Sequence, residues 1–210
     1  MIFNFVSPYN WIKKTIPGFL WENERNEIIL TFDDGPFKET TEIIVNFLTE
    51  NDYKAIFFLT GLIAEKHIDL LNIIDSTGNV LGNHSFTHNR TLFFKTTKSF
   101  INEIEQTENL LSRFKNFRKY FRPPYGLISP KMFFVLKQKK YKIFMWSLLT
   151  EDYKGDFSLV KWNIENFLRP NSIIVFHNNI KAKPILRDSL NYLNDEINKR
   201  GYKIGNPFLF

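Results

Sequence analysis

The sequence predicts one α/β domain built on a mostly parallel sheet. Three observations carry this. From Glu27 onward, short runs of β-branched and aromatic residues alternate with longer segments of helical period, the pattern of repeated β–α units. The 210 residues are enough to bury one core without covalent staples. No internal repeat, low-complexity tract or Pro/Gly/Ser linker divides the chain. Alternating units imply helices packed over parallel strands, either closed as a barrel or open as a doubly wound layer, and periodicity alone does not choose between the two.

Residues 1–26 read as an N-terminal extension lying on the domain, with Trp11, Phe19 and Trp21 as its anchors, and residues 27–210 read as the domain itself. The first strand is expected at 28–33, where an apolar run stops abruptly in two carboxylates. A helix over 39–51 follows, then a strand at 55–60, a helix over 61–76 and a strand at 79–84. The second half continues with a helix over 96–114, a strand at 120–122, a helix over 129–138 and a strand at 142–147. A helix over 157–168 precedes the hydrophobic strand at 172–177, which delivers a histidine at its carboxyl end, and a helix over 182–199 leads to a last strand at 202–204. Leu48, Leu71 and Leu110 fall on the apolar faces of their helices.

Composition narrows the chemistry. Cysteine is absent, so any metal must be held by His, Asp or Glu. The 28 Lys+Arg and 22 Asp+Glu leave a net charge of +6, but the basic residues are scattered over polar faces, which makes nucleic acid an unexpected partner. Most of the 23 Phe are expected in the core. Asn4 and Pro8 interrupt the apolar N-terminus before a signal peptide takes shape, and no run of 18 apolar residues suggests a membrane span. A cytoplasmic monomer is the expectation by default, with a place in the cell envelope or export by an unrecognised route as the alternative.

Four clusters fall at the ends of predicted strands. His84 and His88 lie four residues apart, a spacing at which both imidazoles can face one metal ion, although surface pairs of this kind also arise by chance. Asp33 and Asp34 sit in TFDDGP, where Asp, Gly and Pro also make an ordinary turn. Two adjacent carboxylates facing one cleft repel each other unless cations offset them, and Arg122 in RPPYG, stiffened by two prolines, is an available cation. His177 closes the sixth strand. One face at the carboxyl ends of parallel strands is where such architectures hold their active sites.

The ordered set TFDDGP, HSFTH, RPPYG, WSLLTEDY and IIVFH resembles the five motifs of the NodB-homology polysaccharide deacetylases, carbohydrate esterase family four, over about residues 28–205. The resemblance implies a distorted (β/α) barrel of about seven parallel strands, related to the TIM barrel. It implies that Asp34, His84 and His88 bind a divalent ion, usually zinc, and that Asp33 is the general base, held ionised by Arg122. Tyr125 would supply a backbone N–H for the oxyanion. His177 would be the general acid, supported by Asp152, while Val175 and Trp146 would shape the pocket for the acetyl methyl. The implied reaction is deacetylation of N-acetylated sugars through metal-activated water, with a carbohydrate substrate such as peptidoglycan or chitin.

The sequence departs from the family pattern in the fourth motif, where Leu149 stands for an acid and Tyr153 for a tryptophan, and in the fifth, where Val175 stands for leucine. These changes bear on the substrate groove more than on the metal chemistry. An O-acetyl esterase of the acetylxylan type, and a carbohydrate-binding module with a dead site, are the alternatives. His67 matches no motif and reads as a surface or capping residue.

Overall fold

The computed structural model describes residues 6–8, 13 and 17–210; the expected anchor Trp11 lies outside the described residues. Eight parallel strands form one sheet: β1 (Phe19–Leu20), β2 (Ile29–Asp34), β3 (Ile56–Leu59), β4 (Val80–Asn83), β5 (Phe117–Phe121), β6 (Lys142–Phe144), β7 (Leu148–Leu149) and β8 (Ile173–His177). Their spatial order is β1-β6-β5-β4-β3-β2-β8-β7. Among the described residues seven helices connect or flank them: α1 (Lys38–Glu50), α2 (Gly61–Ala64), α3 (Ile68–Ser76), α4 (Thr97–Leu111), α5 (Pro130–Gln138), α6 (Phe157–Phe167) and α7 (Lys183–Lys199). None of the described helices is long and apolar enough to cross a membrane.

Strand alternation sorts the core into two layers. Leu30, Phe32, Phe57, Leu59, Ile174 and Phe176 point outward and pack under the helices with Ile44, Leu71, Ile164 and Leu190. Ile29, Ile56, Phe58, Val80, Phe144 and Ile173 point inward, where Phe208 and Phe210 of the C-terminal tail pack against them. Both faces are therefore buried, which explains why the strands read as continuous apolar runs. Phe32, Phe47, Phe57, Phe58, Phe100, Phe121, Phe144 and Phe176 are all fully buried, so much of the abundant phenylalanine is core.

Three expectations need correction. The strand expected at 142–147 is two strands: β6 lies beside β5 and β1, whereas β7 lies beside β8 at the opposite end of the sheet. The crossing is made by residues 145–147, with the Met145 N–H bonded to the Leu20 carbonyl and the Ser147 N–H to the Ile173 carbonyl. Three residues reach only about 10 Å. The two ends of the sheet are thus brought close, and the sheet curls into a half-barrel. Instead of a last strand at 202–204 there is a single bridge, Ile28 to Ile204. The helix expected over 61–76 is two helices, with His67 at the N-cap position of α3, where its side chain makes no capping hydrogen bond. Two-residue β1 carries no periodicity from which to predict it, and it completes the count of eight.

Candidate functional site

The inward face of the sheet turns polar at the carboxyl ends of its strands. In β2 the inward series is Ile29, Thr31 and Asp33, and in β8 it is Ile173, Val175 and His177, with Asp33 and His177 directly opposite in register. Asp34 would ordinarily point to the helix side. Its backbone instead adopts φ +79°, in the left-handed region, and this bend brings a second carboxylate to the same cleft. The cleft encloses about 740 Å3 and is lined by Asp33, Asp34, His84, His88, Tyr125 and His177 among others.

Asp34, His84 and His88 offer three ligand atoms that all lie within 4.8 Å of one another. Asp34 Oδ1 is 3.8 Å from His84 Nε2 and 3.3 Å from His88 Nε2. Tetrahedral ligands at about 2.1 Å from a zinc ion stand about 3.4 Å apart, so the donor set fits such an ion with little movement. The Nδ1 of His84 lies 2.7 Å from the Arg122 carbonyl, to which it donates as the Nδ1–H tautomer, leaving Nε2 as a lone pair toward Asp34. Burial is the largest influence on His88 and lowers its pKa to about 4 against the pull of Asp34 and Asp33. His88 is therefore the neutral imidazole that a metal requires. Burial alone would raise the Asp34 pKa, but His177, His84, His88 and the Asn179 amide together hold it below the usual carboxylate range.

Asp33 is served by a different cation. Arg122 has no exposed surface, and its Nη1 donates to Asp33 Oδ1 at 2.7 Å and to Thr31 Oγ1 at 2.6 Å, while Nη2 donates to the Met145 carbonyl at 2.8 Å. The guanidinium lies 4.3 Å over the Phe58 ring. Burial lowers the Arg122 pKa and the Asp33 carboxylate opposes that shift.

Across the cleft, His177 Nδ1 lies 2.7 Å from Asp152 Oδ1, and the His177 backbone N–H donates to Asp152 Oδ2 at 2.8 Å. Burial works against an imidazolium here, but the Asp152 carboxylate prevails, with Asp34 and Asp33 adding to it, and raises the pKa to about 9. The cleft therefore holds an acid on one side and carboxylates on the other at neutral pH. Tyr153 stands edge-on to His177, ring centres 4.7 Å apart.

Tyr125 adopts φ +58° in the turn after Pro123 and Pro124, half exposed, with its ring 4.8 Å from that of His88. Trp146, Leu149 and Val175 form a small apolar cluster on the wall, with Tyr153 against it. Gly126 lies so close to Trp146 that a Cβ would come within 2.7 Å of the indole, and its φ of +67° disfavours any other residue. Every residue singled out from the motifs thus lies in or beside one cleft; His67 does not.

Three contributors were not foreseen. Thr31 is an inward residue of β2 whose hydroxyl donates to the Ile174 carbonyl and so accepts from Arg122. Asn179, two residues after His177, donates its amide to Asp34 Oδ2 at 2.7 Å, and its Oδ1 accepts from the Lys181 and Ala182 N–H groups. Glu103 is a buried carboxylate on α4 that bonds the loop carrying His88. Only Asn179 had a local signal, its place at the end of the His177 strand.

Comparison with known proteins agrees with this layout. The family model described as polysaccharide deacetylase matches residues 22–144. A peptidoglycan-N-acetylglucosamine deacetylase of Bacillus cereus is 34% identical over 173 residues, covering 81% of this chain and 62% of that protein. The chain spans 62% and 64% of the length of the first two such relatives. The crystal structure of a peptidoglycan N-acetylglucosamine deacetylase superposes with a TM-score of 0.87 at 29% identity, covering 97% of each chain. A CE4 family pseudoenzyme from Bacillus anthracis shares the fold, with a TM-score of 0.80 at 20% identity over 94% of this chain and 70% of that one.

Proposed function

The chain belongs to the polysaccharide deacetylase family, and we propose that it hydrolyses the acetamide of N-acetylglucosamine units in an oligo- or polysaccharide, with one divalent ion, zinc, held by Asp34, His84 and His88. The observation that carries this reading is the division of the cleft. A carboxylate paired to a buried arginine stands beside the metal-ligand set, and a histidine raised to a pKa of about 9 stands opposite.

When bound, the ion supplies Lewis-acid polarisation of the acetyl carbonyl and acidifies the attacking water. Asp33, paired with and oriented by Arg122, accepts the proton that water loses as its oxygen joins the carbonyl carbon. The Tyr125 backbone N–H shares the developing oxyanion. Trp146 and Val175 exclude water around the methyl group. His177 then gives its Nε2 proton to the nitrogen, the C–N bond breaks, and acetate and a free amine depart. An amine is a poor leaving group until protonated, so a high-pKa acid supported by Asp152 suits an amide more than an ester. A shared fold does not by itself bring activity, as the pseudoenzyme shows for its own chain; here base, arginine, acid and ligand set are all present.

The test is acetate release from N-acetylglucosamine oligomers, peptidoglycan and acetylxylan by zinc-loaded protein, with metal content measured in parallel. Acetate from an N-acetylated glycan and one zinc per chain are expected. Release from acetylxylan alone would replace the reading with that of an O-acetyl esterase, and zinc binding without turnover would replace it with that of a binding module.

A further inference from the structure

The loop from Ser85 to His88 is held in a conformation that its own sequence disfavours. Ser85 and His88 have φ of +64° and +53°, in the left-handed region that costs a non-glycine residue about 1–2 kcal/mol. Something outside the loop must impose this shape. Its N–H groups are all committed to side-chain acceptors: Ser85 N–H to Asn83 Oδ1 at 2.9 Å, Phe86 and Thr87 N–H to Glu103 Oε2 at 3.0 and 2.8 Å, and His88 N–H to Ser85 Oγ at 3.1 Å. The Thr87 hydroxyl donates to the other Glu103 oxygen at 2.7 Å, and Lys95 lies 3.3 Å from it. On the opposite side, the Ser85 and Phe86 carbonyls accept from the Gly61 and Leu62 N–H groups. Gly61 permits that approach, since a Cβ there would come within 2.5 Å of Phe86.

Glu103 stands out in this arrangement. It is a charged side chain with about 5% of its surface exposed, and it does not itself line the cleft. Burying a carboxylate is unfavourable unless donors surround it, and here most of the donors belong to the two residues that precede His88. We propose that Glu103 is a positioning residue for the metal centre, fixing the backbone of residues 86–87 so that the His88 imidazole faces Asp34 before any ion arrives. The proposal rests on the reading of Asp34, His84 and His88 as metal ligands. It follows that what matters is the placement of the acceptor oxygens.

Zinc affinity, measured by competition titration on the whole chain, separates the possibilities, with the thermal midpoint of the metal-free protein followed alongside. Glu103→Ala, and Glu103→Asp, whose shorter side chain withdraws the carboxylate from the loop, are expected to bind Zn2+ about 10- to 100-fold more weakly, the usual effect of losing an outer-shell partner. Glu103→Gln keeps one acceptor for both N–H groups and can turn its amide toward the Thr87 hydroxyl, so it should restore affinity to within a few-fold of the parent. Glu105→Ala, on the same helix but exposed and bonded to Lys139, is the control for helix stability and should leave zinc affinity unchanged. Parent-like affinity in Glu103→Asp and Glu103→Ala, or equal weakening in Glu105→Ala, would overturn the proposal. If the parent itself bound no zinc, the metal reading would fail first and this inference with it.

Discussion

Arg122 Nη1 meets Asp33 Oδ1 at 2.7 Å, and neither side chain has more than 7% of its surface exposed. Removing one partner of such a pair strands a charge in a medium that solvates it poorly. Arg122→Ala is expected to lower the unfolding free energy by about 3–5 kcal/mol and to reduce turnover strongly. Zinc content should stay near that of the parent, because His84 is oriented by the Arg122 backbone carbonyl, which the substitution leaves in place. Chemical denaturation and elemental analysis check both halves, and loss of metal without loss of turnover would contradict the assignment of Arg122 to Asp33.

His177 is expected to titrate near 9 in the metal-free protein, against an ordinary value of 6.5, as followed by NMR of its ring protons. Because the folded value lies above the unfolded one, the Asp152–His177 pair stabilises the fold fully below about pH 6.5. That stabilisation is lost as pH rises through about 9. Asp152→Asn should bring the midpoint back toward 6.5 and flatten the pH dependence of stability across this window. An unchanged midpoint in the variant would assign the shift to another group.

His177→Ala is expected to remove about 10²- to 10⁴-fold of the activity on an N-acetyl sugar, and distinctly less on an activated acetyl ester, whose leaving group departs with weaker protonation. Zinc binding should survive. Equal losses on the two substrates would mean that His177 does not protonate the leaving group.

The parts of the site that were legible in the sequence share one property: each is a polar residue placed where an apolar run ends. Asp33, Asp34 and His177 close a strand and His84 directly follows one, and a strand end is visible one residue at a time. What stayed hidden depends on contacts between distant segments. Nothing local in α4 marks Glu103 as the acceptor for a loop 16 and 17 residues before it. The six apolar-to-polar residues of 142–147 look like one strand because periodicity reports which face is buried and not which neighbour is bonded, so the passage from β6 to β7 was invisible. Asp34 illustrates the converse. Its identity was readable, but the positive φ that turns it into the cleft belongs to the backbone alone.

The direct pairing of β2 with β8 also orders events in time. Domains are synthesised from the N-terminus, and Asp34, at the end of β2, and His84 and His88, in the loop after β4, all leave the ribosome well before β8. The proposed acid is carried by the last strand, which pairs with β2 and sets His177 opposite Asp33. A chain interrupted before β8 would carry the three candidate ion ligands and lack the proposed acid. On the proposed reading, the two halves of the site meet only when the C-terminal segment closes beside β2, near one end of the sheet.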